Sequence, residues 1–468
     1  MLASPSGAGR GPGWHDALVH DDQPTDRLGL PAIAWAIYDF GYSLFAFVLF
    51  ARYLSDWLIS DLGHPDWVYT SGQAVAALSL LLIMPFAGVA ADVIGKHRPL
   101  LALFTATAAI AGGLVGVISP DIGALGVLPL LMLGTISAAS TGLAFAQFDP
   151  MLASVAPRRS WNVMSGVAVA AGYLGIIVWL LLLADPIVGE GDKQAAFLPA
   201  AVLFALLSLP VLLFAHEPPR TEPRDVNGAR GIWRAARTEQ RGALTRLRGE
   251  RPVVRLLLGR LLYADAVGTV NVFAVVYMSR LGGFSESDKN NVTLLVVLCA
   301  GVGALLAGAL ARRVGPRKTL MGIIPIFAAG IVGTALAGEP WTVWVLAPVL
   351  GVSLGTVYTV DRVFLLALTP PELRGEIFGF FNLIGRVAQA LGPFILWGGV
   401  IFVLHDLTGW LNALDASRVS LVLISIAALC GLLVIRPLDD QHAATLQAQG
   451  GGGGDAADEP ALAASSSD

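Results

Sequence analysis

The sequence predicts an all-α integral membrane protein, with twelve transmembrane helices in two pseudo-symmetric six-helix halves. Three observations predict it: a charge content too low for a water-facing surface, a train of bilayer-length apolar segments, and an internal repeat. Hydrophobic residues make up 55% of the chain and charged residues only 14%, against roughly 25% charged in soluble domains. A surface facing hydrocarbon needs few charges, whereas a soluble one of this size cannot be built from so few.

The elements follow in chain order. Residues 1–27 are polar and rich in Gly, Pro and Asp, and read as a disordered N-terminus with no removable signal peptide. A helix needs about 20 apolar residues to cross a bilayer. Spans are expected near 30–57, 68–91, 99–118, 122–148, 161–184, 195–215, 254–279, 291–311, 319–338, 341–366, 377–403 and 418–435. Helices are the expected form, because a barrel would show period-two alternation. The organisation is therefore an N-terminal bundle over 28–215, a basic linker over 216–253, a C-terminal bundle over 254–435 and a disordered tail over 436–468.

Basic residues fall on one set of loops. Lys96, Arg98, Arg158, Arg159, nine arginines from Arg220 to Arg251, Arg312, Arg313, Arg317, Lys318 and Arg374 make eighteen, against four on the alternate loops, Lys193, Arg280, Lys289 and Arg418. The positive-inside rule puts the basic set and both termini in the cytoplasm, in a bacterial inner membrane. The linker carries Trp233, Ala236, Gln240, Leu244 and Leu247 at helical spacing among its arginines. A surface helix on anionic lipid fits this pattern, and so does a solvated connector.

The two halves echo each other. Asp39 and Ser43 match Asp265 and Thr269 at an offset of 226, Gly88–Arg98 matches Gly308–Lys318 at 220, and Pro157 with Gly172 matches Pro370 with Gly385 at 213. Three matches in order indicate a duplicated six-helix unit, the plan of the major facilitators, whose halves are related by an axis along the membrane normal. The run Gly88, Asp92, Gly95, Lys96, Arg98 resembles that superfamily's signature between its second and third spans. The glycines permit a tight reversal, and the aspartate can latch one conformation. The second copy has Arg312 in place of the acid.

A finer resemblance rests on Trp35-Ala-Ile-Tyr38-Asp39-Phe40-Gly-Tyr-Ser43, Ser165-Gly166 with Gly172-Tyr173-Leu174-Gly175, Tyr263-Ala-Asp265, and Pro370 through Phe380 with Gly392-Pro393. Together these resemble the vacuole effluxer-like branch, which includes autophagy-related vacuolar amino-acid exporters and bacterial permeases. Tyr42 and Phe148-Asp149-Pro150 depart from its pattern. The resemblance implies transport of a small polar solute, such as an amino acid or related metabolite, in the direction of export.

An ionisable residue at membrane depth costs roughly 2.5–3.5 kcal/mol or more and so normally faces a cavity or a partner. Asp39 lies about 15 Å along its helix at 1.5 Å per residue, and Asp265 is at the equivalent depth. The expected substrate- or proton-binding residues are Asp39, Ser43, Tyr173, Asp265, Thr269, Asn382, Arg386 and Gln389. Tyr173 offers Asp39 only a neutral hydrogen bond, which makes Asp39 the expected proton carrier. Arg386 is the expected partner of Asp265 and anchor for a carboxylate. Gly88, Asp92, Gly95, Lys96, Arg98, Asp149, Asp361 and Arg362 are the expected gate and latch residues. Arg52 and Arg260 are expected to snorkel to the interfaces.

Cys299 and Cys430 lie in apolar runs and read as inert thiols, and none of the seven histidines falls clearly inside a span. No nucleotide loop or metal-ligand pattern is present, so neither cofactor nor metal is expected. A net charge of −4 gives no footprint for nucleic acid. The expectation is a monomeric, non-enzymatic permease; the sequence leaves open a transporter-like scaffold or sensor and a lipid-acting enzyme.

Overall fold

The computed structural model describes residues 29–438, apart from 121–124, 157–160, 190, 216, 218–227, 337 and 370–373. The expectations of disordered ends, and Pro157 and Pro370 of the repeat, lie wholly or largely outside the described residues. Within them, twelve helices are long and apolar enough to cross a membrane: Leu30–Asp61, Asp66–Ala91, Arg98–Val115, Leu128–Met151, Gly166–Val188, Lys193–Phe214, Arg251–Leu281, Glu286–Val314, Pro316–Ala335, Pro340–Leu368, Gly379–Leu407 and Ala413–Ile435, here α1 to α12. A further helix, Gly228–Gly249, forms the linker between α6 and α7.

Large apolar side chains point outward along these helices; Leu82 is 76% exposed and Leu305 80%. Such belts are stable against hydrocarbon, and helices satisfy their backbone internally there. The protein is a multi-pass membrane protein. Local signals set the helix ends. Ser285 and Asp288 form a reciprocal capping box at the start of α8. Asn412 accepts the Asp415 N–H at the start of α12. The helix that contains α2 ends on Gly95, whose φ of 74° an ordinary side chain resists.

The duplication read from the sequence governs the packing. In the N-terminal half, α1 packs on α5 and α6, α4 on α2 and α3, and α3 on α6. In the C-terminal half, α7 packs on α11 and α12, α10 on α8 and α9, and α9 on α12. These are the same five pairings, shifted by six helices. The halves meet through α1 with α7, α2 with α11, and α5 with α8. Three spans contain π-helical turns. α1 loosens into π-helical turns at Phe47–Tyr53 and Trp57–Asp61, α5 at Trp179–Leu183, and α11 at Pro393–Gly399 and Phe402–Leu407. A π-turn slips the register by one residue and re-aims the side chains beyond it.

Candidate functional site

A cavity of about 520 Å³ lies between the halves. The N-terminal half lines it with Tyr42 and Ser43 of α1, Gln73 of α2, Thr141 of α4 and Tyr173 of α5. The C-terminal half adds Asn271 of α7, Tyr358 of α10, and Arg386 and Gln389 of α11. Close packing of α1 on α5 forms one wall. Gly172 lies against Ser43, and a Cβ at Gly175 would strike the Phe40 carbonyl. Arg386 is the one charged side chain among the described lining residues. Its guanidinium lies 5.2 Å from the centre of the Phe145 ring, and Gln389 donates to the Tyr358 hydroxyl at 3.5 Å.

The structure thus brings together Ser43, Tyr173, Arg386 and Gln389. Asp39 lies one turn along α1 from Ser43, 8% exposed, with its carboxylate beside Gly172. No hydrogen bond or ion pair holds it among the described residues; the side-chain charges acting on it are Asp149 and Arg362. Asp265 differs. Its carboxylate accepts the Gly392 N–H at 2.6 Å, at the junction where α11 turns from α- to π-helical. The expected pairing of Asp265 with Arg386 is therefore not found: the backbone bond frozen into the α7–α11 contact holds the carboxylate instead. Thr269 is fully buried and donates to the Asp265 carbonyl, and Asn382 is exposed on α11 outside the cavity lining.

Two groups of opposite sign face each other at the end of the bundle that carries the linker, the basic end. Asp149 begins a short 3₁₀ turn at the end of α4, reachable by solvent although protein surrounds it. The opposite charges acting on it are Arg386 and Arg362 of the other half. Arg362 is exposed, but its neighbour Asp361 turns back into its own half. There Asp361 accepts from Arg260 Nε at 2.5 Å and from the Tyr263 hydroxyl at 2.5 Å, while Arg260 also donates to the Phe381 carbonyl at 2.8 Å. Arg260 therefore does not snorkel. It lies nine residues into α7, too deep to reach the interface, and its charge is matched inside the half. Phe148, which holds the place of Asp361 in the first copy, instead stacks on Trp35 and Tyr38, each at 4.6 Å.

Of the signature loop, Gly95 makes the reversal, and the Asp92 side chain lies outside the described residues. Arg98 donates to the Ala215 carbonyl at 2.9 Å and to the Leu212 carbonyl, fastening the end of α6. Glu217 accepts the backbone N–H groups of His97 and Arg98 at 2.5 and 2.8 Å. Lys96 is exposed, and a Cβ on Gly88 would meet nothing.

The opposite, far end carries a network that the sequence reading missed. Arg52, expected to snorkel, is 0% exposed because α1 continues to Asp61 and its π-turns aim the side chain inward. Arg52 donates to Asn290 and to Glu286, both at 2.7 Å. Lys193 meets Asp56 at 2.7 Å and Asp61 at 2.8 Å, and Lys289 meets Glu286 at 2.7 Å and Asp56 at 3.4 Å. Ser279 donates to Asp56 at 2.6 Å. Nearby, Asp66 accepts from Arg280 and, at 2.6 Å, from Trp397. Three acids, Asp56, Asp61 and Glu286, balance three bases, Arg52, Lys193 and Lys289. Such burial is tolerable only because each charge is matched. Arg52, Asp56, Asp61 and Lys193 belong to the first half; Glu286, Lys289 and Asn290 belong to the second. These contacts between described residues join the two halves at the far end. A signal did exist in the sequence: Arg52 and Asp56 share one helix face, and three of the four basic residues of the sparse loops, Lys193, Arg280 and Lys289, join this network or the adjacent pair with Asp66.

Two duplicated six-helix bundles around a central cavity, tied at one end by polar contacts, have the plan of a secondary transporter of a small molecule. The chain belongs to the Major Facilitator Superfamily, whose model matches residues 32–393. An uncharacterized MFS-type transporter of Bacillus subtilis (strain 168), YxiO, is 25% identical over 415 residues, covering 85% of this chain and 93% of that protein. Autophagy-related protein 22 of Yarrowia lipolytica is 24% identical over 273 residues, 52% of this chain and 46% of that one, which bears out the effluxer-like resemblance. Among solved structures, the nucleoside transporter NupG superposes with a TM-score of 0.66 at 12% identity, covering 87% of this chain and 99% of NupG. A bacterial homologue of the human lysosomal transporter Spinster, inward-facing and unoccupied, gives 0.63 at 14% identity over 90% and 96%. These likenesses support the fold.

Proposed function

We propose that the protein moves a small polar solute with an anionic group, such as an amino acid or related metabolite, by alternating access in the direction of export. The observation that carries this reading is Arg386, the one charge among the described residues lining the cavity, where tyrosine, serine, threonine, asparagine and glutamine side chains share the wall with apolar ones such as Phe47, Ile176 and Val296. A guanidinium fork binds a carboxylate in two places at once, while Asn271, Gln389 and the tyrosines select the remaining polar groups. The basic end is the cytoplasmic end in this reading, so the arrangement described, tied at the far end, is inward-facing. Switching breaks the Arg52–Glu286 and Lys193–Asp56 network and brings Asp149 against Arg362 at the basic end. Asp39, without a bonding partner among the described residues and beside the cavity, is the proton carrier that couples the cycle to a gradient.

Purified protein in proteoliposomes, screened with amino acids, other carboxylates and neutral solutes with and without a pH gradient, tests the reading. Saturable movement of a carboxylate, accelerated by the gradient, is the expected result. Transport of neutral solutes alone would remove the role assigned to Arg386. No transport of any solute would favour a non-transporting scaffold or sensor.

A further inference from the structure

At the basic end, away from the central cavity, a cleft of about 810 Å³ is lined by the last turn of the linker helix, the start of α7 and the ends of α10 and α12. Arg248, from the linker helix, and Arg251 and Arg255, from the first turns of α7, project along one side of it. All three are exposed, and none has a hydrogen-bond or ion-pair partner among the described residues. Their position is electrostatically awkward. The start of α7 has no side-chain cap: Glu250, its N-cap residue, makes no capping bond, and Arg251 in the first turn faces the positive end of the helix dipole. An anion at this point would satisfy the free N–H groups and the arginines together. The rest of the lining is mostly apolar: Leu258, 55% exposed and on the same face of α7 as Arg251 and Arg255, with Leu368 and Val434. Leu258 sits about 10 Å further along α7 than Arg251, at 1.5 Å per residue, on the membrane side of the arginines.

A cationic rim above an apolar wall, at the point where a helix enters the bilayer, matches a ligand that is anionic at one end and hydrocarbon at the other. We propose that this cleft is a binding site for an anionic glycerophospholipid, its phosphate held by Arg248, Arg251 and Arg255 and an acyl chain laid along Leu258 and Val434. Arginine forks suit phosphate oxygens, and basic pockets between transmembrane helices take acidic headgroups. A soluble phosphate would use the arginines and leave the apolar wall without a role. The site also joins the linker to the C-terminal half, because Arg248 belongs to the linker helix and Arg251 and Arg255 to α7.

The test uses the full-length protein in detergent, titrated with phosphatidylglycerol, phosphatidylcholine or glycerol 3-phosphate, with bound adducts counted by native mass spectrometry. Phosphatidylglycerol should bind saturably and at least tenfold more tightly than phosphatidylcholine, and glycerol 3-phosphate should not compete at equal concentration. The triple variant R248Q/R251Q/R255Q should weaken phosphatidylglycerol binding about tenfold, whereas R230Q/R234Q/R241Q, which removes the same charge elsewhere on the linker helix, should not. R248Q alone, outside the membrane span, should weaken it severalfold and guards against a triple variant that misfolds. Equal binding of the two lipids, equal loss in both triple variants, or unchanged binding in R248Q/R251Q/R255Q would overturn the proposal. Glycerol 3-phosphate matching phosphatidylglycerol would assign the arginines to a soluble anion and overturn the lipid site.

Discussion

The carboxylate of Asp265 accepts the backbone N–H of Gly392 at 2.6 Å, one residue before Pro393, where α11 widens into π-helical turns. Duplication places Asp39 at the matching depth of α1, yet among the described residues no N–H meets it there. Equivalent positions have thus been given unlike tasks, one fastening two helices and the other left beside a cavity.

Replacing Asp265 by Ala would remove the carboxylate to which the Gly392 N–H donates at membrane depth, a cost of about 1–3 kcal/mol. The variant should melt earlier in detergent and accumulate less in the membrane. Asp265→Asn keeps an acceptor oxygen and should lose less. Because Arg386 is not the partner, adding Arg386→Gln to Asp265→Asn should give no rescue; recovery of expression in the double variant would show that the two charges do pair.

Asp39→Asn should abolish gradient-driven accumulation while leaving exchange of substrate down its own gradient. Counterflow and pH-jump uptake in proteoliposomes separate the two. If Asp39→Asn accumulates substrate as the parent does, proton coupling runs through another group.

Arg386→Gln should raise KM about 10- to 100-fold, the equivalent of ~1.5–3 kcal/mol for a hydrogen bond to a charged group. Arg386→Lys should recover part of the affinity, since a point charge replaces the fork. An unchanged KM in Arg386→Gln would place the substrate elsewhere.

Arg52→Ala removes one of the three bases of the far-end network and takes a partner from Glu286 and Asn290, at a cost below the ~3–5 kcal/mol of a fully broken buried pair, because Lys289 stays on Glu286 and Lys193 on Asp56. Cysteine reagents applied from the far side should then reach Tyr173→Cys more readily. The charge-balanced pair Arg52→Met with Glu286→Leu should restore stability but not the tight closure. Unaltered labelling of Tyr173→Cys in both backgrounds would mean that the network does not hold the far end shut.

Orientation has a direct measurement. In intact cells, a membrane-impermeant thiol reagent should label Gly191→Cys and leave Arg230→Cys unlabelled. The opposite result would turn the whole bundle over.

The twelve spans and the duplication were legible in the sequence for a local reason. Crossing hydrocarbon demands a run of apolar residues of fixed length, and that demand acts on each segment separately. Ser43, Tyr173, Arg386 and Gln389 were legible on similar grounds, as polar groups at membrane depth in spans that the fold places around its centre. The reading gave weight to charge, however, and so passed over Gln73 and Asn271, neutral cavity residues in their own apolar spans. The partner of each charge was decided only by the tertiary structure. Whether Arg52 reaches the interface or Glu286, whether Arg260 snorkels or binds Asp361, and whether Asp265 meets Arg386 or the Gly392 N–H depends on how each helix is rotated about its axis. Packing against neighbours and the π-turns of α1 and α11 fix that rotation. A register slip of one residue swings a side chain by about 100°, and no local property of the sequence records which way it ends.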